Sequence, residues 1–275
     1  MSTATTTATQ AVIGVRDLTV RFRRFTALDG VSLEVPRGAT VGLVGESGSG
    51  KSTLAKAILG LVPVHAGRIE LDGRDITNIR GAERRSLGRT IQAVFQDPNT
   101  SLNPSFTIER SLLEPLHAQG MAQGDVKARV AEVLEAVGID PSAAARLPRH
   151  FSGGQRQRIS IARALITDPE VVICDEAVSA LDLSVQAQVL NLLANIQAQR
   201  GISYLFISHD MSVVRHICHQ VTVLYRGHVV ETGTATQVTQ TPTHPYTRKL
   251  LNAAPVADPL VQRGRRREGA KETHS

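Results

Sequence analysis

Apolar and β-branched residues cluster in short runs along this chain, and the spacing inside each run separates strands from helices. Residues 12–22 and 27–35 predict a pair of strands, joined by a turn around residues 23–25. Thr40–Val44 is a short apolar strand that runs directly into a glycine-rich stretch at residues 45–50, with a helix predicted from residue 51 to 59. From about residue 108 to 147 the character changes. In residues 125–138, Val126, Val130, Val133, Leu134 and Val137 recur at helical spacing with Gly138 as a stop, which predicts an all-helical insert. After Pro148 strands and helices alternate again: a buried strand at 171–174, a helix at 183–199 and a strand at 202–208. A hairpin (221–225, 228–231) then leads to a polar C-terminal segment.

Strands alternating with helices imply a mainly parallel sheet covered on both faces, hence an α/β fold. The expected divisions are a flexible Ser/Thr/Ala-rich start (1–10), one globular domain (11–255) and a basic flexible tail (256–275). Within the domain, the helical part is expected at about 97–160 and a C-terminal extension at about 233–255.

Composition narrows the classes. Of 275 residues, 41% are hydrophobic, enough for a sizeable core, and 20% are charged. The two cysteines, Cys174 and Cys218, form no C-x-x-C pair, which fits a reducing compartment and argues against a disulfide framework or a zinc site. No run reaches the roughly 18 apolar residues of a membrane helix, and residues 1–10 lack the blocks of a secretory signal. A soluble chain, or one bound to a membrane through a partner, is expected. The net charge of +6 is concentrated in part at Arg263, Arg265, Arg266 and Arg267, read as a solvated end. Aromatics are 3% and do not interleave with basic residues, so no nucleic acid partner is expected.

The chemistry starts at Gly45-Glu46-Ser47-Gly48-Ser49-Gly50-Lys51-Ser52, which matches G-x-x-x-x-G-K-[ST] between a strand and a helix. Its glycines let backbone N–H groups turn inward as a nest for phosphate oxygens, at the positive end of the following helix. Lys51 supplies a charge to the β- and γ-phosphates, the Ser52 hydroxyl can ligate Mg²⁺, and Thr53 can add a phosphate contact. The strand at 171–174 ends in two carboxylates. Asp175 is suited to the Mg²⁺ shell, and Glu176, expected to point the other way along the pleat, to polarising water. The strand at 202–208 delivers His209 where a γ-phosphate would lie, beyond the carboxyl ends of the strands.

With these residues in hand, the chain resembles the ABC ATPases. Phe151-Ser152-Gly153-Gly154-Gln155 looks like their signature motif, and Gln96 in Phe95-Gln96-Asp97-Pro98 like their Q-loop. Ser179-Ala180-Leu181-Asp182 resembles their D-loop, His209 their switch histidine and Phe22 their adenine-stacking aromatic. A finer resemblance, to the ATP-binding subunits of bacterial oligopeptide and dipeptide importers, rests on Ser101-Leu102-Asn103-Pro104, Ser184-Val185-Gln186-Ala187-Gln188 and Thr243-His244-Pro245-Tyr246-Thr247. The sequence departs from the family's common pattern at Phe151, often leucine, and Ala177, often proline. It also lacks the cysteine-rich C-terminal stretch of some members, so no iron–sulfur site is implied.

The resemblance implies a phosphate-loop NTPase core with an antiparallel β subdomain and a helical subdomain. It implies ATP hydrolysis with Mg²⁺, in which Gln96 joins Ser52 and Asp175 around the metal and water. The Ser152–Gln155 motif, with Asp182, would close on the ATP of a second head. Implied partners are that head (identical or paralogous), two transmembrane permease subunits and an extracytoplasmic solute-binding protein, with the chain peripheral on the cytoplasmic face of the cell membrane. The expected role is the motor of a peptide importer. Import of nickel or another small solute, or a soluble non-transport ABC ATPase, stands as the alternative.

Overall fold

The computed structural model describes residues 11–97, 101–118, 120 and 126–253. The expected flexible start, the basic tail with its four arginines, and Pro98 lie outside the described residues. Two sheets organise the chain. The first is four-stranded and antiparallel, in the order β2-β1-β4-β5, from β1 (Ala11–Phe22), β2 (Phe25–Pro36), β4 (Ala66–Leu71) and β5 (Arg74–Asp75). The second is six-stranded, in the order β10-β9-β3-β8-β7-β6. Its parallel members are β3 (Thr40–Val44), β6 (Ile91–Phe95), β7 (Val171–Asp175), β8 (Ser203–Ser208) and β9 (Gln220–Tyr225), with β10 (His228–Thr234) antiparallel at the edge.

Nine α-helices are described below, besides two short 3-10 turns at Pro141–Ala145 and Pro148–His150. Two flank the first half of the chain: α1 (Lys51–Ile58) and α2 (Gly81–Thr90). Between β6 and β7 lie α3 (Ile108–Ala118), α4 (Val126–Ala136) and α5 (Gly153–Leu165). The rest are α6 (Leu183–Arg200), α7 (Met211–Ile217), α8 (Ala235–Gln240) and α9 (Pro245–Ala253). None of these is long and apolar enough to cross a membrane.

The six-stranded sheet is the wall between two cores. Alternate residues of a strand face opposite sides, so β7 sends Val171 and Ile173 one way and Val172 and Cys174 the other. Likewise β8 sends Leu205 and Ile207 toward β1, β2 and α1, and Tyr204 and Phe206 toward the helices that include α3 to α7. Every residue of β3 and β8 is buried, which is why these strands read as continuous apolar runs without alternation.

Strands β4, β5 and β6 and helices α2, α7, α8 and α9 were not legible in the pattern. In β4 only Ile69 is buried, the edge strand β6 buries only Ile91 and Val94, and α2 buries nothing. The first hairpin is also tighter than predicted. Phe22 pairs with Phe25 across a turn of Arg23 and Arg24, with Arg23 at φ 53°, so β2 starts at Phe25 rather than Ala27.

The registers bring strand ends together: Val44 pairs with Ser208, Asp175 with Ile207 and Phe95 with Asp175. The carboxyl ends of β3, β8, β7 and β6 thus form one continuous edge. Deep in the helix-side core, the Tyr204 hydroxyl finds no hydrogen-bond partner among the described residues, and burial pushes its pKa up. Tyr204→Phe should therefore raise unfolding stability by about 1 kcal/mol, because it deletes an unsatisfied buried group. Phe206→Ala, which opens a cavity on the same face, should cost about 3–5 kcal/mol. Denaturant titration distinguishes the two, and a destabilised Tyr204→Phe would mean that the hydroxyl has a partner.

Candidate nucleotide site at the sheet edge

The phosphate loop leaves β3 at Val44 and enters α1 at Lys51. Gly45 is the tight point: its φ is 155°, and a Cβ there would lie 2.2 Å from the Leu224 carbonyl oxygen and 2.7 Å from Ser49 Oγ. No side chain fits. Lys51 is buried under the loop, where Nζ donates to the carbonyl oxygens of Gly45 and Glu46, each at 2.8 Å. Burial lowers its pKa, against the pull of the Glu176, Asp175 and Glu46 carboxylates. Glu46, Ser47 and Gly48 are exposed at the rim, Ser49 is buried beneath it, and Gly50 precedes α1. The loop is braced from behind, where the Gly227 N–H donates to the Ser49 carbonyl at 2.9 Å and the Glu46 N–H to Tyr246 Oη at 2.8 Å.

At the end of β7, Asp175 Oδ1 accepts from Ser52 Oγ at 3.3 Å, which brings the two expected metal ligands together. Glu176 departs from the expected pleat. The strand has already ended, and Glu176 takes φ 51°, a left-handed conformation fixed by its N–H on the Ile207 carbonyl at 3.0 Å. The left-handed turn, rather than strand alternation, sets the course of its carboxylate, and Oε1 comes within 3.3 Å of His209 Nδ1. His209 itself is largely exposed.

A cleft of about 260 Å³ opens beside these groups, lined by Phe22, Phe25, Ser47, Lys51, Thr53 and Glu176 among others, while Asp175 and His209 reach it only through their contacts with Ser52 and Glu176. Phe25 was missed. Its signal was the second aromatic three residues after Phe22, hidden because residues 23–25 read as turn. Gln96 is exposed one residue beyond the Phe95–Asp175 pair and does not line the cleft.

Ser152–Gln155 and Asp182 do not line the cleft either. Ser152 caps α5: its hydroxyl accepts from the Gln155 N–H, and the Gln155 side chain accepts from the Ser152 N–H. Asp182 caps α6, accepting from the N–H groups of Ser184 and Val185. The two helix starts meet where Gly154 packs on Val185 so closely that a Cβ would stand 2.4 Å from Cγ1. The signature and Asp182 form one surface, separate from the chain's own phosphate loop.

Asp175 is half-buried, and desolvation raises its pKa, with Glu176 adding to the rise, while the Ser52 hydrogen bond and Lys51 lower it. A raised carboxylate pKa means that the folded state holds the proton more tightly than the unfolded one. The ionised form is therefore a cost at neutral pH that vanishes below the unfolded value. Asp175→Asn should raise the melting temperature of the nucleotide-free chain by about 2 °C at pH 7. That gain should fade as the pH falls below about 4. A gain independent of pH would mean that ionisation is not its cause.

Comparison with known proteins follows the same line. The ABC transporter family matches residues 28–179, and the oligopeptide/dipeptide transporter C-terminal region matches residues 230–275. The glutathione import ATP-binding protein GsiA of Salmonella paratyphi A is 49% identical over 269 residues, covering 94% of this chain and 43% of GsiA. The oligopeptide transport ATP-binding protein OppD of Mycobacterium tuberculosis is 52% identical over 233 residues, covering 85% and 38%. The chain thus spans less than half the length of these relatives. Among solved structures, the dimeric ATP-binding cassette MJ0796 bound to ADP and Pi in a post-hydrolysis state superposes with a TM-score of 0.72 at 27% identity, covering 81% of this chain and 98% of that one. The resemblance read from the motifs is borne out, and with a match over residues 28–179 the chain belongs to the ABC transporter family.

Proposed function

We propose that this chain is the ATP-hydrolysing motor of an ABC importer that takes up peptides. The observation that carries the reading is the convergence of Lys51, Ser52, Asp175, Glu176 and His209 on one edge, with the capped helix start at Ser152–Gln155 outside the cleft. A site built this way is complete for holding nucleotide and incomplete for closing over it. A second head supplies the missing half.

Each residue's part follows from its placement. Loop amides and Lys51 hold the phosphates, with Phe22 and Phe25 as the aromatic wall for the base. Among the described residues no three His, Cys, Asp or Glu side chains could hold a metal unaided. Ser52 and Asp175 offer two oxygens, which suits Mg²⁺, an ion that fills its shell with phosphate oxygens and water. Bound there, Mg²⁺ would neutralise phosphate charge. Glu176 takes the proton of the attacking water, and His209, held against it, steadies the γ-phosphate. Gln96, one residue beyond the Phe95–Asp175 pair, would join Ser52 and Asp175 around the metal and water. From the partner head, Ser152–Gln155 and Asp182 press on the γ-phosphate; the free N–H groups of Gly153 and Gly154 at the start of α5 favour an anion.

The peptide cargo rests on the C-terminal match at 230–275 and on the relatives' names, glutathione being itself a tripeptide. The motor works with a second ATPase head, two permeases and a solute-binding protein, peripheral on the cytoplasmic membrane face.

Glu176→Gln should keep ATP binding, slow phosphate release by about 100-fold or more and trap a dimer in ATP on gel filtration. Near-normal hydrolysis would remove Glu176 as the base. Lys51→Ala should instead lose nucleotide affinity in a binding titration. For the transport reading, mass spectrometry of material copurified from gently solubilised membranes should recover multi-span permeases and a solute-binding protein. Recovery of only ribosomal or DNA-repair proteins would sink transport while leaving the ATPase chemistry standing.

A further inference from the structure

The phosphate loop is tied to the C-terminal segment of the chain. Beyond β10 the backbone turns back, and Glu231 gathers it. Glu231 Oε1 accepts from the Thr243 N–H at 2.8 Å and its hydroxyl at 3.0 Å, and Oε2 accepts from the His244 N–H at 3.1 Å. His244 Nδ1 accepts from the Tyr246 N–H at 3.1 Å, which sets the first turn of α9. Leu250 and Leu251 of α9 pack against the helix-side core. The Tyr246 ring is buried against Tyr225, with centroids 4.1 Å apart and planes 34° from parallel. Its hydroxyl then meets Glu46, a residue 200 positions away in sequence.

The atoms involved decide what this contact does. Gly45 C=O and Glu46 N–H belong to one peptide unit. Lys51 Nζ holds its oxygen at 2.8 Å and Tyr246 Oη accepts from its nitrogen at 2.8 Å. The plane is pinned from both ends, next to a glycine that has no side chain to restrict its backbone torsions. A phosphate drawing Lys51 away from the Gly45 carbonyl would leave Tyr246 as the anchor of this peptide. Burial pushes the phenol's pKa up, so it stays neutral beside the loop.

We propose that Tyr246 is a positioning residue for the nucleotide site, fixing the Gly45–Glu46 peptide and so tying ATP affinity to the docked state of residues 243–253. The proposal rests on the nucleotide reading of the cleft. Linkage makes it reciprocal: whatever lifts α9 weakens ATP binding, and ATP holds α9 down.

The test uses the full chain and a fluorescent ATP analogue with Mg²⁺. Tyr246→Phe keeps the ring on Tyr225 and deletes only the acceptor. It should raise the analogue's Kd about three- to tenfold. KM for ATP should rise with kcat little changed, and amide exchange at Glu46 should speed up while the circular dichroism spectrum stays the same. A merely structural role would leave Glu46 exchange and KM untouched. If Tyr246→Phe stays within twofold of wild type while Lys51→Ala loses binding, the inference is overturned and the nucleotide site stands. If Lys51→Ala binds as wild type does, the nucleotide reading fails and takes this inference with it. Should Tyr246→Phe not fold, Glu231→Gln carries the test from outside the cleft. It should raise Kd about two- to fivefold by loosening the hydrogen bonds at residues 243 and 244, and an unchanged Kd would overturn the proposal.

Discussion

Everything polar in this molecule is arranged around a sheet that has no free face. Both sides of the six-stranded sheet are packed, so a charged group has no place along β3, β7 or β8 without losing its water. Charge is therefore driven to the strand ends. Parallel strands share a direction, so their carboxyl ends lie on one edge. Asp175, Glu176 and His209 meet there because the strands carrying them are in register, although they come from different parts of the chain.

That edge is balanced around Lys51. Burying an ammonium costs free energy unless its donors are filled and opposite charge is near. Two loop carbonyls take two of its three donors, and the Glu176, Asp175 and Glu46 carboxylates supply the charge. The carboxylates carry part of the strain, as the raised pKa of Asp175 shows. An anionic ligand with its own cation would relieve both sides at once, giving Lys51 a counter-charge and Asp175 a positive neighbour.

The legible parts of this architecture were those encoded within one stretch of chain. The glycine spacing at 45–52 dictates a loop by itself, and Thr40–Val44 was placed to the residue because this fully buried strand carries no charged residue and only one polar one, Thr40. Strand β4 was illegible because most of its side chains are exposed and it is a strand only through pairing with β1 and β5. The direction of Glu176 went wrong by one residue of strand length, since alternation holds only while the strand lasts. Phe25 was absorbed into a turn that proved shorter. Tyr246 stood out in the sequence only as part of a motif. Its contact with Glu46 depends on the folded six-stranded sheet and on Glu231, and no local pattern announces it.

The left-handed backbone at Glu176 has a consequence for how such a sequence persists. A glycine or an asparagine would sit there with less strain than a glutamate. A chain drawn for thermal robustness alone would drift toward those residues at position 176, and would fold better as it lost the carboxylate beside His209. The glutamate at 176 thus holds its carboxylate beside His209 at a backbone cost of about 1–3 kcal/mol, which burial in the two packed cores on either side of the sheet offsets.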